Sequence, residues 1–85
     1  MITRQIVAEK IGAWLRHDIS LDALVAWAED AIREGTFPEG DAADLAAVIG
    51  RLGLADVKEF GLTWDDCENL LKRIGFTAKV EITAA

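Results

Sequence analysis

Four times between Thr3 and Ile74 the apolar residues return at a helical interval, and each time glycine or a capping residue interrupts them. Val7, Ile11, Trp14 and Leu15 form the first stripe, and Leu21, Leu24, Val25, Ala28 and Ile32 the second, with Trp27 flanking it. Leu45, Val48, Ile49 and Leu52 form the third, and Trp64, Cys67, Leu70, Leu71 and Ile74 the fourth. A 3.6-residue period puts each set on one side of an α-helix, and four one-sided helices must turn those sides toward one another. A chain of 85 residues has room for one such core. The expected fold is mainly α: a compact bundle of about four helices in antiparallel hairpins with a short C-terminal β-strand, in a single helical domain over residues 1–85.

The punctuation between stripes sets the element boundaries. The first helix is expected from Thr3 to His17. Ser20 then offers an N-cap oxygen, Asp22 favours the positive end of the next helix dipole, and Ile19 and Leu24 occupy the positions of a hydrophobic staple. Glu29 and Arg33 stand in the favourable i, i+4 order, and Gly35 suits a left-handed position after the second helix. The stretch from Thr36 to Gly40 reads as the longest loop, with Phe37 tucked beneath it.

Asp41 is placed to cap the third helix and Gly53 to end it. Gly50, inside that helix, costs about 1 kcal/mol relative to alanine and predicts close helix packing or a break. Leu54, Val57 and Phe60 are spaced by three and predict one or two helical turns. Thr63 caps the fourth helix, Asp65 and Asp66 fall in its first turn, and Lys72 and Arg73 complement its far end. Gly75 followed by Phe76 matches a Schellman ending in which Phe76 touches Leu71.

From Phe76 the period changes. Phe76, Ala78, Val80 and Ile82 alternate with Thr77, Lys79, Glu81 and Thr83, which predicts a strand over residues 76–83. A lone strand leaves backbone hydrogen-bonding groups unpaired. Its partner could be the segment around Met1 to Thr3, the Thr36–Phe37 loop or the same strand of a second copy, and an unpaired tail is the remaining alternative.

Composition narrows the function classes. Fifteen carboxylates against nine Lys and Arg give a net charge of −6, which argues against binding the phosphate backbone of nucleic acid. Between Asp18 and Asp44 eight carboxylates face Arg33 alone, a local charge of −7, so the rest of the chain sums to +1. No apolar run long enough to span a membrane and no signal-like start are present, and the single Cys67 cannot form an internal disulfide. A soluble, cytoplasmic protein without membrane association is the expectation.

Catalytic chemistry finds little material. Cys67 lies on an apolar stripe and reads as a core cysteine, and His17 as a solvated residue at a helix end. Asp65 and Asp66 point about 100° apart on a helix and serve the dipole better than they share a proton. The acidic stretch with Glu34, Glu39, Asp41 and Asp44 lacks the ligand spacing of an EF-hand. Phosphate loops, zinc-ligand pairs and a serine-hydrolase elbow are absent from the sequence. Trp14, Trp27 and Trp64 read as core residues, with at least one ring partly exposed at an interface. The expectation is therefore no enzyme, with no catalytic, cofactor-binding or metal-binding residue.

What remains is a non-catalytic protein–protein interaction module. Its candidate partner-binding face is acidic, formed by Asp22, Glu29, Asp30 and Glu34, and suits a basic protein. An alternative is an immunity- or antitoxin-like inhibitor of a basic toxin or nuclease: the Ile19-Ser20-Leu21 hairpin and acidic second helix resemble the colicin D type of immunity protein as far as Gly35. That resemblance implies a helical fold and a nuclease partner, and no binding residue is carried over from it. The other alternative is a homo-oligomeric structural protein, a homodimer paired through a strand edge at Ala78, Val80 and Ile82.

Overall fold

The computed structural model describes residues 1–84. Thr3 is extended, and its hydroxyl oxygen accepts the N–H of Ile6, starting α1 at Arg4–Leu15. The helix closes with a Schellman pair: the N–H of His17 bonds the carbonyl of Trp14 at 3.0 Å and that of Asp18 the carbonyl of Ala13 at 2.8 Å. His17 takes the left-handed backbone position, at φ 65°, that this ending usually gives to glycine.

Ser20 caps α2, Leu21–Glu34, by accepting the N–H of Ala23. Gly35 ends it in an extended conformation, at φ −76°, instead of the expected left-handed one. Contact is the reason for a glycine here. A Cβ on Gly35 would overlap the Ile2 side chain and stand 2.5 Å from the Ala31 carbonyl oxygen. Ile2 runs past this point, and its N–H donates to the carbonyl of Thr36 at 2.7 Å. Ala31 is buried while the expected core residue Ile32 is 48% exposed, so small side chains in the last turn leave room for Ile2.

α3 covers Ala42–Leu52. Asp41 stands at its N-cap without a side-chain capping bond, because its carboxylate is instead 3.5 Å from Arg4. Gly50 neither breaks this helix nor packs tightly: apart from its chain neighbours and its own helix backbone, no atom lies within 4 Å of where its Cβ would be. The Leu54–Phe60 unit forms successive turns, not a helix, with N–H groups of Leu54, Ala55, Val57 and Phe60 bonding three residues back. Ala55 is buried beneath it, whereas Leu54, Val57 and Phe60 are exposed.

α4, Trp64–Arg73, begins with a reciprocal capping box: Thr63 accepts the Asp66 N–H and Asp66 accepts the Thr63 N–H. It ends in the expected Schellman motif, with Gly75 at φ 87° and the Phe76 N–H bonded to the Leu71 carbonyl at 2.9 Å.

The four helices enclose one apolar core, which buries no polar side chain among the described residues. α2 and α3 share the most extensive contact, α1 touches all three others, and α4 closes against α1 and α3. Val7, Ile11, Leu24, Leu45, Ile49 and Leu52 are fully enclosed, and Cys67 and Ile74 seal the α4 side. Trp14 and Trp27 are half-buried against this core, whereas Trp64, expected on the buried side of α4, is 36% exposed. None of the described helices is long and apolar enough to cross a membrane.

The strand expected at 76–83 does not form, and no β-strand exists among the described residues. Phe76 and Ala78 pack on the core, but Val80 and Ile82 are 67% and 95% exposed. No backbone–backbone hydrogen bond forms from Thr77 to Ala84 among the described residues. The two intrachain segments that could have paired with it, around Ile2 and Thr36, bond to each other instead. An alternating pattern makes a strand only when another edge is free to receive it.

Candidate functional site

The charge on α2 follows from its helical register. At about 100° per residue, Asp22, Glu29, Asp30 and Glu34 fall within an arc of about 140°, opposite the arc of Leu24, Val25, Ala28 and Ala31. All four carboxylates are exposed. Burying the apolar arc against α3 therefore forces the acidic arc outward, and the helix holds its charges at fixed spacing.

Tertiary structure divides the acidic stretch in a way the linear sequence does not. Asp18 pairs with Arg16 at 3.2 Å, Asp41 with Arg4 at 3.5 Å and Asp44 with Arg73 at 3.2 Å, so three cations from outside the stretch neutralise part of it. Arg33 pairs with Asp30, not with Glu29 as the i, i+4 spacing suggested. Among the described residues Asp22, Glu29, Glu34 and Glu39 have no cation within ion-pair distance. The unbalanced charge is thus concentrated on α2 and the loop after it. On the α1 side of α2, the Lys10 ammonium lies 5.7 Å from the centre of the Trp27 ring.

The titratable groups inside the fold are built for structure. Cys67 is fully buried, and desolvation, with a smaller contribution from the Asp66 carboxylate, pushes its thiol up to about 11, away from the nucleophilic thiolate. Asp66 is held below the ordinary carboxylate value, first by the Thr63 backbone N–H, then by the Thr63 side chain, with Arg51 contributing less. Asp65 and His17 are exposed. No three His, Cys, Asp or Glu side chains converge into a metal-binding group among the described residues.

A second surface includes no residue of α2 or α3. An open groove of about 570 Å³ runs between α1, the two ends of α4 and the C-terminal segment. Ala8 and Gly12 of α1, with Trp64 and Leu71 of α4, line it, and Phe76, Ala78 and Val80 border it. Of the three residues expected at a strand edge, Ala78 is half-buried in this wall, Val80 borders the groove while 67% exposed, and Ile82 lies beyond it. The sequence carried a trace of the groove: Ala8 and Gly12 are small residues four apart on α1.

Arg51 has a role that no local sequence pattern signals. Its Nη2 donates to Asp66 at 3.3 Å and to the Phe60 carbonyl at 3.5 Å, and its guanidinium lies 5.5 Å from the centre of the Phe60 ring. It ties the Leu54–Phe60 turns to α4, while its buried Nη1 has no hydrogen-bond partner among the described residues. No protein-family model, no curated protein and no solved structure matches the chain.

Proposed function

We propose that this protein is a non-catalytic protein–protein interaction module that offers the outer face of α2 to a basic protein. The observation that carries the reading is the unequal pairing of the carboxylates: Asp22, Glu29 and Glu34 are exposed without a cation, whereas Asp18, Asp30, Asp41 and Asp44 each have an arginine. Unpaired charges of one sign on a rigid element attract an oppositely charged surface and orient it during encounter. Inhibition of a basic toxin or nuclease is one form of this reading, since such a helix would cover a surface made to hold phosphates.

The test compares the wild type with the triple variant Asp22→Asn, Glu29→Gln, Glu34→Gln. Partners are captured from the source organism's lysate, and the affinity of any basic partner is then measured over a salt series. The wild type is expected to bind at low salt at least about tenfold more tightly than the variant, and the two should converge as salt rises. Equal binding by both proteins at low salt would overturn the assignment of this face. The substituted residues are exposed, so unfolding free energies should stay within about 0.5 kcal/mol of wild type.

A further inference from the structure

The C-terminal segment keeps the alternating pattern of a strand while lacking a strand's partner. Its apolar side begins on the core at Phe76 and Ala78 and continues into solvent at Val80 and Ile82. Among the described residues its backbone makes no backbone–backbone hydrogen bond from Thr77 to Ala84. Both intrachain candidates for pairing with it are engaged with each other through Ile2 and Thr36. An edge left open in this way is a template for a strand from another molecule.

The segment's charges identify that molecule. When two copies of one strand pair antiparallel about a two-fold axis, residues equally distant from the axis on either side face each other. With Val80 on the axis, Lys79 faces Glu81 of the second copy and Glu81 faces its Lys79. Ala78 then faces Ile82, and Thr77 faces Thr83, so apolar meets apolar and polar meets polar along the ribbon. Moving the axis by one residue sets Lys79 against Lys79 or Glu81 against Glu81. Moving it by half a residue sets apolar side chains against polar ones. One register alone satisfies both the charges and the faces.

The groove beside the segment fits the same arrangement. Ala78 borders it, and the cross-strand partner of Ala78 is the second copy's Ile82, the most exposed large apolar side chain among the described residues. Each copy would thus contribute an apolar end to a surface lined in the other by Ala8, Gly12 and Trp64. We infer that residues 76–84 are a self-recognition strand: two copies pair antiparallel about Val80, with reciprocal Lys79–Glu81 contacts fixing the register. This inference stands apart from the acidic face of α2, which lies on a different helix.

The test is a charge swap read by light scattering and sedimentation over a concentration series. Wild type is expected to dimerise as concentration rises. Lys79→Glu and Glu81→Lys should each weaken dimerisation about 10- to 30-fold, because each turns two attractive pairs per dimer into two repulsive ones. These variants move net charge in opposite directions, so repulsion between whole molecules would change affinity with opposite signs. The double variant Lys79→Glu, Glu81→Lys restores the pairing and should dimerise as wild type does, without mixing with wild type. Lys79 and Glu81 are exposed, and unchanged helical circular dichroism would show that the fold is retained. A wild type that stays monomeric into the millimolar range, single variants with wild-type dimerisation, or a double variant as weak as the singles would overturn the inference.

Discussion

The chain is extended on both sides of its helices, and the two extended segments meet different fates. Ile2 packs against the core, lies against Gly35 and donates its N–H to Thr36, whereas residues 79–84 are exposed at the edge of the groove and make no backbone–backbone hydrogen bond among the described residues. The difference is not one of apolar content, since Val80 and Ile82 are as hydrophobic as Ile2. It comes from what each segment passes: the first meets a helix end trimmed to Ala31 and Gly35, and the second follows the rim of an open groove, where nothing encloses it after Ala78. Room for close approach, more than the segment's own sequence, decides whether an extended piece joins the fold.

Removing that room gives the largest expected effect. Gly35→Ala would press a methyl group into Ile2 and the Ala31 carbonyl, and the backbone carbonyl cannot move as a side-chain tip can. A loss of about 1–3 kcal/mol in urea unfolding is expected. Ile82→Ala, measured at concentrations where the protein is monomeric, should stay within about 0.5 kcal/mol of wild type. If the two substitutions cost the same, the contrast between the segments fails.

Gly50 supplies the control for glycine itself. It lies within α3 with open space where a Cβ would go, so Gly50→Ala should raise stability by about 0.5–1 kcal/mol by favouring the helical backbone. Opposite signs at Gly35 and Gly50 in the same unfolding assay would assign the cost at Gly35 to contact. A loss at both positions would remove that distinction.

These particulars show which parts of the fold the sequence could convey. A helix satisfies its backbone within itself, so apolar spacing together with Ser20, Thr63 and Gly75 was enough to place the helices and most of their ends. The acidic arc was legible because it is the complement of the buried one. A strand depends on a remote edge, and nothing local in Phe76 to Ile82 could disclose that Ile2 and Thr36 were already bonded. Gly35 and Gly50 look alike in the sequence, and only their surroundings separate a required glycine from a replaceable one. Ion pairing is equally non-local: Arg4, Arg16 and Arg73 lie outside the acidic stretch and divide it into neutralised and free carboxylates.

The smallest expected effect concerns α4, which fixes where the projecting segment departs. Its capping box lowers the Asp66 carboxyl relative to the ordinary value of 3.8, chiefly through the Thr63 N–H. A carboxyl that is more acidic folded than unfolded contributes stability that is fully present above the unfolded value. That contribution is lost as pH falls through the lower folded value, because protonation then weakens the bond to the N–H. Urea midpoints measured downward from about pH 5 should therefore fall below pH 3.8, and Asp66→Asn, which keeps an acceptor oxygen without a titrating proton, should flatten this part of the curve. The N-terminal segment is bonded through a backbone carbonyl, which does not titrate, so its contribution should not change over the same range. A variant with the same acid dependence as wild type would separate the loss from Asp66 and leave the start of α4 without the titrating contact assigned to it.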